Sequence, residues 1–239
     1  MYIPMNEMLK HFKQDVPTMA NITHKSEQWS PYHDNSGTVL AVGIPGAVIV
    51  AGDTRLSNGY NILSRDATKL SQLTDKCVLA TAGQYADFIA LRKFLQQRLQ
   101  LYEFQNEVQA STETVAHLLS RELYSRRFFP YYTFNLLAGL DENNHGVVYG
   151  YDAIGSYDKM TYGVQGSGQE LVVAVLDNQL KGYNKINKTF PQTREEILDI
   201  ILDCFSCAAE RDIHTGDNVE ILIITSAGTE RLIKPLRKD

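Results

Sequence analysis

From Thr38 onward the apolar positions fall into short blocks. TVLAVGI (38–44) and AVIVAGD (47–53) flank Pro45-Gly46, and continuous apolar runs of that length bounded by turn residues predict a hairpin with both strands well buried. KCVLATA adds a strand ending near Gly83. The period then changes. Phe88, Leu91, Leu95 and Leu99 recur at i, i+3, i+7 and i+11, which predicts a helix, and a second helical stretch runs from about Thr112 to Ser125. TFNLLAGLD and GVVYGYD, joined through the polar residues Glu142 to His145 and Gly146, read as a second hairpin. Two more helices are expected at about 169–178 and 194–211, and VEILIIT and ERLIKPL close the chain around Ala227-Gly228. Strands, two helices, strands, two helices, strands is an order without sustained βαβ alternation. It predicts an α+β sandwich with helical layers outside two antiparallel sheets.

The residues before this pattern, up to about Asn35, are polar and non-periodic, and read as an extension or propeptide rather than core. They hold no apolar run of signal-peptide length, and no stretch approaches the roughly 20 apolar residues of a membrane-spanning helix. At 239 residues, 44% of them apolar, the chain can bury one substantial core without needing a second domain. The net charge of -5 is spread along the sequence. There is no basic stripe for nucleic acid and no polybasic membrane patch. Three cysteines, Cys77, Cys204 and Cys207, are too few and too poorly spaced for a secreted disulfide scaffold, which points to the reducing cytoplasm or nucleus.

Individual motifs offer little independent chemistry. Cys204 and Cys207 form a lone CxxC with no second pair of ligands, and Ile197, Ile201, Phe205 and Ala208 around them repeat at helical spacing, so both are read as helix residues. No metal or cofactor is implied. GVQGSGQ lacks the Lys and Ser/Thr of a phosphate-binding loop, and Ser167 within it is expected to cap the helix that follows. His214 stands beside Asp212 without a serine to complete a triad. SRRFFPYY (125–132) places arginines beside aromatics, a composition found at protein interfaces, and reads as a loop with ring-neighbour contacts or core packing.

GTVLAV, AGDTRLSNGY, LYSRRFFPYY, AGLDENNHGVVYGYDAIGSY, AAERDIHTGD and the terminal RKD are long strings in a fixed order. Through them the chain, from Gln28 to Asp239, resembles the beta-type subunits of the eukaryotic 20S proteasome, members of the N-terminal-nucleophile threonine hydrolases. The resemblance implies a four-layer αββα fold and a single beta-type domain over 28–239, with a short extension 28–36 and a propeptide 1–27 cut between Glu27 and Gln28 by active neighbours. It implies a place in a heptameric ring enclosing the chamber of ATP- and ubiquitin-dependent protein degradation. The partners it implies are beta-5-type and beta-7-type neighbours, an alpha ring on one face and the opposite beta ring on the other, with assembly chaperones as further candidates.

In an active member of that family a threonine at a bare N-terminus supplies the hydroxyl nucleophile. Its α-amine, with an unperturbed pKa of about 7.7 to 8.0, accepts the proton. A lysine, a carboxylate that holds it and oxyanion donors complete the site. By resemblance the supporting positions fall on Asp53, Lys69, Ser167 and Asp212, with Thr215 in place of a serine. Holding Asp53 and Lys69 in register puts Gly37 at the nucleophile position, and glycine has no hydroxyl. Thr38 lies one residue later, where strand alternation aims it at the opposite face. The expectation is a non-catalytic subunit with a degenerate site. Two alternatives stand beside it: an active threonine peptidase using Thr38, which needs a one-residue slip absorbed around Gly43 to Gly46, and an unrelated hydrolase or binding module working as a monomer.

Overall fold

The computed structural model describes residues 30–182 and 193–238. The first apolar runs form β1 (Thr38–Ile44) and β2 (Ala47–Asp53), in which every residue except Ile44 is buried. A small two-stranded hairpin follows, β3 (Leu56–Asn58) with β4 (Asn61–Ser64), and then β5 (Leu70–Thr74) and β6 (Cys77–Gly83). Two helices come next, α1 (Tyr85–Asn106) and α2 (Thr112–Ser125). Ser111 caps α2, its hydroxyl accepting from the Thr114 amide. The chain returns through β7 (Thr133–Leu140), β8 (Gly146–Tyr151), β9 (Tyr157–Met160) and β10 (Tyr162–Gly166).

Next is α3 (Gln169–Leu176), which runs on as a π-helical turn over Asp177–Lys181. Helix α4 (Arg194–Arg211) starts from a capping box between Thr193 and Glu196. The last strands are β11 (Asn218–Thr225) and β12 (Gly228–Pro235).

The strands assemble into two antiparallel five-stranded sheets, ordered β10-β1-β2-β11-β12 and β5-β6-β7-β8-β9. Three separate cores show how they stack. Val39 and Ala41 of β1 pack with Val78, Ala80, Leu136 and Ala138 of the other sheet. Leu40 and Val42, the alternate residues of the same strand, pack instead with Val172, Leu176, Ile201 and Phe205 of α3 and α4. On the far side of the second sheet, Leu79 and Leu137 meet Leu91, Leu95 and Leu119 of α1 and α2. Side chains alternate across a strand, so one apolar run serves two cores at once. With a helical layer on each outer face, neither sheet needs polar residues there. The result is the four-layer αββα sandwich.

From Tyr32 onward the chain is one compact unit. Residues 32–36 are tied to it: the Tyr32 hydroxyl donates to the Pro130 carbonyl (2.9 Å), the His33 amide to Gln84 Oε1 (3.0 Å), and the Asn35 side chain bonds the Ser57 carbonyl and the Tyr85 amide. The propeptide read over 1–27 and its Glu27–Gln28 boundary lie outside the described residues.

Candidate functional site

Asp53 ends β2 and Lys69 immediately precedes β5, so the gap between the two sheets brings them together. Lys69 Nζ lies 3.0 Å from Asp53 Oδ1, with both side chains buried. The ammonium's remaining protons go to the carbonyls of Asp53 (2.9 Å) and Arg55 (2.5 Å). Asp53 in turn accepts from the amides of Thr38 (2.7 Å) and Arg55 (3.2 Å). Burial pushes the Asp53 carboxyl above the ordinary carboxylate range, while the Lys69 charge and the Thr38 amide pull it back. Every proton of the ammonium has an acceptor, and removing either partner strands the other at a cost of about 3 to 5 kcal/mol.

The residue facing this pair is Gly37. A Cβ built there would fall 2.2 Å from Lys69 Cε, 2.6 Å from Nζ and 2.9 Å from Asp53 Oδ1. Its φ of +86 is a backbone conformation that side-chain-bearing residues rarely adopt. The Gly37 carbonyl accepts from the Ser167 amide at 3.0 Å, and the next amide, that of Thr38, is the one held by Asp53. The peptide unit between Gly37 and Thr38 is thus hydrogen-bonded at both its oxygen and its nitrogen.

Thr38 points the other way, sharing the face of Leu40 and Val42. Its Oγ1 accepts from the Gly168 amide (3.0 Å) and lies 2.7 Å from Thr215 Oγ1. Thr215 donates its one proton to Asp212 Oδ2 at 2.7 Å, so Thr38 must donate to Thr215. Ser167 Oγ donates to the same carboxylate oxygen at 2.6 Å. The outcome is a directed chain from the Gly168 amide through two hydroxyls to a carboxylate at the C-terminal end of α4. It requires close approach at Gly168, where a Cβ would come 2.5 Å from the Thr38 oxygen. The β1–β2 ladder runs from Val39 opposite Gly52 to Ile44 opposite Ala47 without a bulge, so no slip turns Thr38 toward Lys69.

The structure therefore divides the six sequence-derived positions into two groups. Gly37, Asp53 and Lys69 meet on the inner side of β1, while Ser167, Asp212 and Thr215 gather around the Thr38 hydroxyl. The capping role expected of Ser167 is corrected: Gly168 is the N-cap of α3 and makes no side-chain cap bond, and the Ser167 hydroxyl is drawn to Asp212 instead. His214 forms no side-chain pair with Asp212. Its amide donates to that carboxylate, and its ring Nδ1 sits 2.9 Å from Ser57 Oγ.

Sequence reasoning missed the support beneath the site. Arg55, whose carbonyl holds Lys69, is buried and paired at 3.0 Å with the fully buried Asp217, which also binds Arg65. The signal lay in the Arg of GDTR and the Asp of TGDN, but nothing in either string says that they meet. Among the described residues no group of three or more His, Cys, Asp or Glu is placed to hold a metal ion. A cleft of about 210 Å³ is lined by Asp34, Ser36, Gly83, Phe134, Gln165 and Ser167, among others.

Comparison with known proteins bears on this geometry. The family described as "Proteasome subunit" matches residues 33–224. The chain is 45% identical over 223 residues to "Proteasome subunit beta type-1" of Petunia hybrida, covering 91% of this chain and 100% of that protein. It is 44% identical over 223 residues to the protein of the same name from Arabidopsis thaliana, with the same coverage. To that of Danio rerio it is 43% identical over 219 residues, covering 91% of each.

Proposed function

The chain belongs to the proteasome subunit family as a beta-type component of the 20S core particle, and on that premise we propose that it is a non-catalytic, structural member of the beta ring. It helps to enclose the degradation chamber and cleaves no peptide bond itself. The observation that carries this reading is Gly37: the residue facing the Lys69–Asp53 pair has no side chain, and the lysine's own methylene and ammonium fill the space one would enter. A second point supports it. The hydroxyl of Thr38, at the start of β1, is buried and committed to Thr215 and the Gly168 amide, on the face of β1 turned away from Lys69.

Other proteasome subunits are its partners. Within the ring we assign it the place between beta-5-type and beta-7-type neighbours, in the cytoplasm and nucleus, with residues before Gln28 removed by an active neighbour. The test is the N-terminal residue of this chain in purified core particles, read by intact mass, together with labelling by an electrophilic peptide that acylates N-terminal threonines. A start near Gln28 and no label on this chain are expected. A start at Thr38 with label on it would make the chain a protease.

A further inference from the structure

The turn after α2 is apolar where it meets solvent. Phe128 is 93% exposed, and Phe129 and Tyr124 are each 61% exposed. Together the three rings offer on the order of 400 Å² of surface, a size at which exposed apolar patches mark contact sites. The backbone that carries these rings is held, and Phe129 is held with it. The amides of Arg126, Arg127 and Phe129 each donate three residues back, to Leu123 (3.2 Å), Tyr124 (3.1 Å) and Arg126 (3.0 Å). Tyr32 stacks on Phe129 at 5.5 Å, and its hydroxyl is fixed to the Pro130 carbonyl. The Arg126 guanidinium lies 4.5 Å over the buried Tyr131 ring, and that of Arg127 lies 5.4 Å from the Phe128 ring. A tip ordered before it binds loses little entropy on docking.

The charge at the tip is opposite to that of the whole chain. Arg126 and Arg127 stand here on a protein of net charge -5. Arg126 has one distant carboxylate, Glu122 at 3.8 Å, and Arg127 makes no ion pair among the described residues. Rigid aromatics flanked by arginines have the composition of interface hot spots, and their complement is an apolar socket rimmed by carboxylates.

We propose that Tyr124, Arg126, Arg127, Phe128 and Phe129 form the knob by which this chain docks into an apolar, carboxylate-rimmed socket on an adjoining proteasome subunit. The inference rests on the structural-subunit reading above. It goes beyond that reading by naming the surface and the chemistry of what it meets. A nucleic acid is the poorer occupant, since no basic track leads away from the two arginines.

The experiment places a benzophenone amino acid at position 128 and irradiates purified core particles that contain the substituted chain. A cross-link to one neighbouring subunit, at a peptide carrying Asp or Glu among apolar residues, is expected. In competition with wild-type chain, Arg126→Glu/Arg127→Glu and Phe128→Ala/Phe129→Ala should each enter particles about tenfold less well or worse, while Arg126→Lys/Arg127→Lys retains most incorporation. Particles that contain the chain but show no cross-link from position 128, or one only to a protein outside the particle, would overturn the docking proposal and leave the subunit reading standing. If the unsubstituted chain were itself missing from core particles, both would fall.

Discussion

At Gly37 the backbone sits at φ +86, and the space in front of its Cα is filled by the end of Lys69. Restoring a hydroxyl there is therefore more than a matter of adding atoms. A Gly37→Thr chain would carry a β-branched residue in the left-handed region, which costs about 1 to 2 kcal/mol for an ordinary residue. Its side chain would also have to push the Lys69 ammonium off Asp53, leaving a buried carboxylate without its counter-ion. The expected result is a loss of about 3 to 5 kcal/mol in urea unfolding and no peptidase activity from this chain in assembled particles. A Gly37→Thr chain as stable as wild type would show that Lys69 can move aside cheaply. The same logic gives Asp53 and Lys69 a structural role that needs no nucleophile: each holds the other, and Asp53 also anchors the Thr38 amide at the start of β1.

Among the elements, those legible in the sequence are the long ones with a single dominant period. β1 and β2 read as strands because both faces are buried, and α1 reads as a helix because Phe88, Leu91, Leu95 and Leu99 line one buried stripe. The short half-exposed strands, such as β4 (NILS) and β9 (YDKM), carry no such signal. Nor does the π turn after α3, whose residues look helical. The site followed the same division. Resemblance could mark Asp53 and Lys69, but the hydroxyl chain joins residues 177 apart and depends on which face of β1 meets α4, a tertiary fact.

Helix α4 allows a separate check, because its register separates two cysteines only three residues apart. Cys204 is in the core beside Ile201 and Phe205, where burial, with smaller contributions from Cys207 and Asp203, pushes its thiol up to about 12. Cys207 is exposed. In the folded chain at pH 8, iodoacetamide should modify Cys207 and spare Cys204 until denaturant is added. The sign for stability follows from the raised value. The folded state favours the protonated thiol, so the contribution is complete below the unfolded pKa of about 8.5 and falls as pH climbs from there toward 12, by at most ~1.4 kcal/mol per pH unit. Cys204→Ala should flatten the decline of the urea midpoint above pH 9. An equally steep decline in that variant would mean that the thiol is not part of the alkaline response.

For the molecule as a whole, the segment Tyr32–Ser36 connects the site to assembly. It touches the loop before β7, the start of α1 and β3, so it fastens the β3–β4 hairpin to the end of the β6–β7 ladder. The β3–β4 hairpin needs this most, because two strands alone are marginal in water. Among its other ties are the Ser57–His214 contact and the Arg65–Asp217 pair. A cut between Gly37 and Thr38 would give Thr38 a free amine, but it would also discard the strap and leave the Ser57 carbonyl and Tyr85 amide without their Asn35 partner. An active threonine peptidase has to make that cut, whereas a structural subunit processed near Gln28 keeps the strap. Chains beginning at Tyr32 and at Thr38 separate the two demands. The first, which keeps the strap, is the reference in thermal unfolding. The second should lose about 4 to 6 kcal/mol, from the four hydrogen bonds of the strap near 1 kcal/mol each and the packing of Tyr32, with Asn35→Ala in the longer chain reproducing the share of its two bonds. Equal stability for both would reduce the strap to a bystander and remove the energetic reason for this chain to keep Gly37 and Thr38 joined.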